Sequence, residues 1–198
     1  MYSVVKTVEP TSEPVTLTEA KAHCRIDTTA DDTLVSSLIT AARLWCESRL
    51  GQQIMPATYR CKIDGFCSHA VELPYPPLTT VSSITYVDTA GTTQTLSSAL
   101  YTVDTDSKPG RISPVYAEVW PLTRDQLQAV TITYTAGYAS AAAVPQVIKQ
   151  AILLLVGHWY ENREASLVGE TSSALTLAVE SLLMSQWHGS YSFAGVSP

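Results

Sequence analysis

The chain has 198 residues, of which 45% are hydrophobic and only 15% are charged. This apolar content is enough for a sizeable core, so global disorder is excluded, and the length fits one large domain or a core domain with an insertion. The net charge is −6 and the twelve Lys and Arg residues are scattered singly, so the sequence lacks the basic stripe that captures nucleic acid.

The first segment of the sequence is predicted to be extended. Residues 1–15 contain two prolines and are predicted to form an extended arm. They include no apolar run of signal-peptide length, so we expect a cytosolic protein. Thr16 followed by Glu19 is a capping-box pattern, which predicts a short helix over residues 17–24.

A longer second helix is predicted to begin at Thr29 or Asp31 and to end at Leu50, with Gly51 as its stop signal. Its apolar residues come in adjacent pairs, which form a stripe wide enough to touch the core and a second surface. The pairs are Leu34/Val35, Leu38/Ile39, Ala41/Ala42 and Trp45/Cys46.

The middle of the chain changes to a strand-like pattern rich in Thr, Tyr, Val and Ile. Turn signals separate the runs, as at Asp64-Gly65 and around Asp88. The predicted strands are 58–64, 71–73, 81–87, 92–96, 101–103 and 130–134.

Residues 144–164 are predicted to form the helix around which the chain is built. Pro145 fits its first turn, and apolar side chains cover almost its whole circumference, which is typical of a buried helix. It is too short and too quickly flanked by charge to span a membrane. A Ser- and Gly-containing break follows, and then an amphipathic segment, 174–187.

These elements predict an α+β fold, in which a small helical bundle forms the core and a β-rich insertion separates the second and third helices. Residues 1–53 are assigned to the arm and the first two core helices, and 54–140 to the β-rich insertion. Residues 141–187 are assigned to the buried helix and the C-terminal helix, and 188–198 to a flexible tail.

The side chains that could support catalysis have simpler structural explanations. His158 and Glu161 form half of a carboxylate-bridged metal motif, but partner carboxylates are lacking. The aspartates at 64, 88, 104 and 125 lie in or beside predicted turns, and the cysteines lack CxxC spacing, so we expect reduced, buried thiols. We therefore predict no enzymatic activity, no cofactor and no metal. The cysteines are Cys24, Cys46, Cys61 and Cys67.

The order and spacing of several segments resemble the head–tail connector, or adaptor, proteins of tailed bacteriophages. The last of these segments is 144–164, in which Val-Pro opens a helix that ends in HWYENRE. The other matching segments are 14–23, 31–32, 73–78, 86–91, 120–121 and 137–138.

This resemblance implies a structural subunit of the virion neck that is made in the host cytoplasm. The implied assembly is a ring, expected to be dodecameric, which binds the portal protein and a downstream neck or tail-completion protein. DNA would pass through the ring without specific binding, and no membrane is involved. The alternatives are a stopper or tail-completion protein, or a carbohydrate-active β domain.

Interface residues are predicted where aromatic side chains cluster at helix ends and along the apolar stripe of the last segment. We predict that this last segment docks on the portal or a neighbouring subunit rather than on its own core. The predicted interface residues are Trp45, Trp159, Tyr160, Leu175, Val179, Leu182, Leu183 and Trp187.

Overall fold

The computed structural model describes residues 2–66, 70–162 and 171–186, with side chains in the last segment described from residue 177 onward. The chain divides into two compact units. The described part of the first comprises residues 2–10 and 56–139, and that of the second comprises residues 11–55, 140–162 and 171–186. One unit is built of antiparallel strands and the other of helices, so the fold is α+β.

The β unit contains two antiparallel sheets, one of five strands in the order β1-β2-β8-β4-β5 and one of three in the order β3-β7-β6. The strands are β1 (Tyr2–Val8), β2 (Ala57–Ile63), β3 (Val71–Leu73), β4 (Leu78–Val87), β5 (Thr93–Thr95), β6 (Tyr101–Asp104), β7 (Gly110–Pro114) and β8 (Val130–Ala136).

The core of the β unit is organised by β8, which pairs with β2 on one side and β4 on the other. Every second residue of β8 is buried, and Ile132 lies opposite both Cys61 and Ile84. Tyr134, also buried, donates its hydroxyl to the Pro74 carbonyl at 2.9 Å. The hydrogen bond satisfies a polar group that would otherwise be costly to bury.

Two strands differ from the sequence prediction. The N-terminal arm is extended as predicted, but Tyr2–Val8 forms the edge strand β1, which pairs with β2. Strand β7 was not predicted and joins β3 to β6. The remaining strands lie where they were predicted, with ends that differ by at most three residues.

The helical unit contains α1 (Leu17–Cys24), α2 (Asp32–Leu50), α3 (Gln146–Glu161) and α4 (Thr171–Met184). The capping box at the start of α1 is confirmed: Thr16 and Glu19 exchange hydrogen bonds of 2.7 and 3.2 Å. Helix α2 ends at Gly51, whose φ of 62° is the left-handed conformation that glycine adopts without steric cost.

The starts of α2 and α3 differ in detail from the prediction. Asp31 occupies the N-cap position of α2 but makes no side-chain cap bond; its carboxylate accepts instead from the Tyr160 hydroxyl at 2.6 Å. Pro145 is the N-cap of α3 rather than a first-turn residue. Because α3 buries one face and leaves Leu153 and Leu154 half-buried, the predicted burial on all sides is wrong.

Helix α4 begins three residues before the predicted start of the last segment. Some predictions fall on residues that the structure does not describe. The end of the predicted third helix at residues 163–164, most of the break before α4, Cys67, Trp187 and the tail 188–198 lie outside the described residues.

Candidate interaction surfaces

A buried polar network fixes the helical unit. Arg43 on α2, 4% exposed, donates to Glu13 at 2.7 Å and to Glu47 at 3.1 Å. Glu47 also accepts from the Gln53 amide at 2.6 Å and from the Ile54 backbone N–H at 3.1 Å. Burial works against the charged guanidinium, but the hydrogen bonds and charges of the two glutamates outweigh it and raise the pKa of Arg43. This network links the segment before α1 to the segment after α2.

Aspartates in the β unit organise turns. Asp104 accepts hydrogen bonds from Ser107 and Arg111, which lower the pKa of its carboxyl well below the ordinary range. Asp88 accepts from the Gln94 amide and from backbone N–H groups in its own turn, which also lowers its pKa. The prediction of polar turns is confirmed at these two positions.

The candidate metal motif of His158 and Glu161 lies in the last turn of α3. The Asn162 amide lies 3.2 Å from His158 Nδ1 and donates to the His158 carbonyl at 3.0 Å. In residues 2–66, 70–162 and 171–186, no group of three or more His, Cys, Asp and Glu side chains is placed to hold a metal ion. These contacts give His158 a structural role at the C-terminus of α3.

The thiols of Cys46 and Cys61 are both buried and free. Burial raises the pKa of Cys46 to about 12, with a smaller contribution from the charge of Glu47, and burial raises the pKa of Cys61 to about 11. Both thiols stay protonated at pH 8, and the thiolate is the reactive form. We therefore expect neither cysteine to be alkylated by iodoacetamide in the native protein at pH 8.

Peptide mapping by mass spectrometry would measure this labelling, with the urea-unfolded protein as the control. Both cysteines should be modified in urea, where the pKa returns to about 8.5. Rapid native labelling of Cys46 would show that α2 opens readily, and would contradict its burial in a stable core.

The predicted interface residues occupy three kinds of environment. Trp45, Trp159, Tyr160 and Leu182 are half-buried, and the Arg49 guanidinium lies 5.5 Å from the centre of the Trp45 ring. Val179 and Leu183 are buried. The Leu175 side chain and Trp187 lie outside the described residues.

Helix α4 packs on α2 and α3 of its own chain, whereas we predicted that it docks on another subunit. The predicted apolar stripe causes α4 to pack on its own chain, because Val179 and Leu183 of this stripe are 0% and 3% exposed there. Glu180 forms an ion pair with Arg49, and the Gln52 amide donates to the Gln186 carbonyl at 2.7 Å. The assignment of Val179 and Leu183 to an interface stays a prediction, and it requires α4 to leave this position.

The outer face of α2 carries no charged side chain between Thr33 and Ser48, and the Arg49 guanidinium lies against Trp45 at its C-terminal end. In each apolar pair one residue is buried and its neighbour lies on the outer face, where Leu34, Leu38 and Trp45 are half-buried. Leu44, which belongs to none of the pairs, also lies on this face and is 46% exposed. The two charged residues between Thr33 and Ser48 are those of the buried network. A solvated helix face usually carries charge, so this outer face has the character of a contact surface.

A second apolar surface was missed by the sequence analysis. Residues 115–127 form a loop of the β unit with four large hydrophobic side chains in solvent. Sequence reasoning expects such residues to be buried, and the missed signal was that they do not alternate as a strand would. The exposed residues are Tyr116 (100%), Val119 (84%), Leu122 (82%) and Leu127 (79%).

Comparison with known proteins gives one family and one fold. A sequence model described as head completion protein matches residues 13–180. No curated protein sequence matches significantly. Among the described helices, none is long and apolar enough to cross a membrane.

The chain has the fold of chains from gene transfer agent particles. It is similar to one from the neck of an empty particle computed with C6 symmetry (24% identity, 98% of each chain covered, TM-score 0.77). It is also similar to one from the virion of a native particle (24%, 97% of this chain and 98% of the other, 0.76). A third comes from the neck of a native particle computed with C12 symmetry (24%, 98% of each chain, 0.73).

Proposed function

The chain belongs to the head completion protein family, and from this premise we propose that it is a structural subunit of the virion neck. In this proposal it is an adaptor that forms a ring below the portal. The ring joins the DNA-filled head to the tail and leaves a channel through which DNA passes without specific binding. Its partners are further copies of itself, the portal protein and a downstream neck or tail-completion protein.

The observation that carries this proposal is the family match over residues 13–180. The shared fold of chains from particle necks supports the location, and the C6 and C12 symmetry of those necks supports a ring. The outer face of α2, which carries no charge between Thr33 and Ser48, also supports repeated subunit contacts, because interface cores are depleted of charged residues. The net charge of −6 suits a channel that does not hold DNA.

Two finer points belong to the same proposal. We propose that the helical unit is the core of the subunit and that the strands between α2 and α3 are an insertion into it.

We also propose that the protein is not an enzyme. The carboxylates of Glu13 and Glu47 bind the Arg43 guanidinium, and those of Asp88 and Asp104 bind groups in their own turns, so each has a structural role.

Deletion of the gene, followed by electron microscopy of the particles, tests the function. We expect filled heads without tails to accumulate, and complementation with the full chain to restore tailed particles. In the wild-type neck, cryo-electron microscopy should place a ring of copies, expected to be twelve, directly below the portal. A single copy, or a position away from the portal, would contradict the adaptor role.

The same map separates the adaptor from the alternative of a stopper or tail-completion protein. An adaptor contacts the portal directly, whereas those proteins lie further down the neck. A density for this chain separated from the portal by another protein would favour the alternative.

A further inference from the structure

The exposed apolar loop, residues 115–127, is held in place by the β unit. At its start, the Val115 N–H donates to the Leu100 carbonyl at 3.2 Å. In its middle, the Trp120 ring stacks on Phe66 with 4.5 Å between centroids. Near its end, the Arg124 N–H donates to the Val87 carbonyl at 3.0 Å. The loop is therefore an ordered support for its outward side chains.

The outward side chains of this loop forgo a large stabilisation. Tyr116, Val119, Leu122 and Leu127 are 79–100% exposed, and burial of large apolar side chains is a dominant favourable contribution to most protein–protein association. Apolar patches of this kind mark contact sites. Because the loop is already ordered, a partner that covers it avoids much of the entropy cost of ordering.

The outer face of α2 offers a second surface of matching chemistry on the same chain. It presents Leu34, Leu38, Leu44 and Trp45 among small uncharged side chains such as Ser37 and Ala41. Between Thr33 and Ser48 this face carries no charge that would repel the charged loop residues Glu118, Arg124 and Asp125. Arg49, which lies against the Trp45 ring at the end of the face, is paired with Glu180. The two surfaces differ in shape, because one is a loop and the other a helix.

We propose that the exposed apolar loop of one copy docks on the outer face of α2 of the next copy, in the ring proposed above. A ring requires heterologous contacts, in which two different surfaces of each copy meet head to tail. This chain carries two such surfaces, and each repeat of the contact covers both. A like-with-like contact would cover one surface and leave the other exposed.

Paired charge substitutions test the contact in the full-length protein. Leu122→Asp alters the loop and Leu44→Asp alters the face of α2; both side chains are solvent-exposed, so the fold should survive. Thr93→Asp, at an exposed position of β5, is the control for added charge. Circular dichroism checks the fold, and the polar variants Leu122→Ser and Leu44→Ser replace any Asp variant that fails to fold.

Sedimentation over a concentration series measures self-association of each protein. We expect the wild type and the control to associate, and each interface variant to do so about tenfold more weakly or worse. When the two interface variants are mixed, the intact α2 face of one meets the intact loop of the other. The mixture should therefore form one-to-one pairs at concentrations at which neither variant associates alone.

Three results would overturn this proposal: a wild-type chain that stays monomeric up to about 1 mM, unaltered association in either variant, or no pairs in the mixture. A photo-crosslinker at residue 122 in purified particles identifies the occupant of the loop. Crosslinks to α2 of another copy support the proposal. Crosslinks to a different neck protein, or to residues 187–198 of the same chain, overturn it and leave the neck location standing.

Discussion

Replacing Arg43 with Met is expected to lower the free energy of unfolding by about 3–5 kcal/mol, because it leaves buried carboxylates without their cation. Arg43 binds Glu13 and Glu47 at once, and Glu47 is only 8% exposed. Methionine keeps much of the apolar stem, so the loss reports the missing charge rather than a cavity. Urea unfolding followed by circular dichroism at neutral pH would measure it.

Arg49→Met is the matched control on the same helix. Its ion pair with Glu180 lies at the surface, and exposed pairs contribute about 0–1 kcal/mol. A second variant, Arg43→Met with Glu47→Gln, should recover part of the loss. The glutamine can still accept from Gln53 and Ile54 but needs no cation. Two results would contradict the explanation that Arg43 stabilises the protein by neutralising buried carboxylates. One is an equal loss of unfolding free energy in Arg43→Met and Arg49→Met, and the other is no recovery of unfolding free energy in the double variant.

The helices near the N-terminus were predictable because local chemistry fixes their ends. The bounds of α1 were predicted correctly, since Thr16 and Glu19 satisfy the first free N–H groups of that helix through contacts three residues apart. Gly51 likewise ends α2 through its own backbone conformation. Asp31 was harder to interpret, because its carboxylate binds Tyr160, which lies 129 residues away in sequence.

Strands β1 and β7 were missed because neither sequence shows a clear alternation of large apolar and polar residues. All of β1 is exposed or half-buried, so it is stabilised by backbone pairing with β2. Strand β7 is short, begins at Gly110 and ends at Pro114, and places one large apolar residue, Ile112, in the core. Both ends carry residues that usually indicate turns.

The surfaces were predicted only in part, for a related reason. The paired apolar residues of α2 indicated two faces correctly, because helical geometry separates neighbours by about 100°. No such periodicity distinguishes the loop at 115–127, whose exposure depends on how Trp120 and Arg124 hold its backbone. For α4, the pattern of apolar residues predicted an apolar stripe, but it did not identify the surface that buries this stripe.

Deleting residues 165–198 is expected to destabilise the helical unit as well as to prevent tail attachment. The deletion removes Val179 and Leu183, whose burial is worth about 1.5–3 kcal/mol each, or roughly 3–6 kcal/mol together. It also exposes the surface of Leu50, which lines a pocket with Leu183. Thermal unfolding of the purified truncated chain and electron microscopy of particles made with it measure the two effects.

Single substitutions on α4 separate its structural role from a docking role. Leu183→Asp places a charge at a position that is 3% exposed, so we expect a loss of about 3 kcal/mol or more, and Leu182→Asp, half-buried, should cost less. Leu177→Asp and Met184→Asp alter side chains that are 65% and 70% exposed, so the melting temperature should hardly change.

The exposed pair is therefore the decisive test of portal docking. If the outer side of α4 meets the portal, Leu177→Asp with Met184→Asp should yield filled heads without tails from a protein of wild-type stability. Fully tailed particles from this double variant, together with tail loss in Leu183→Asp alone, would mean that α4 acts by stabilising the helical unit. The portal contact would then lie on another surface of the chain, because a destabilised subunit fails at every contact whereas a blocked interface fails at one.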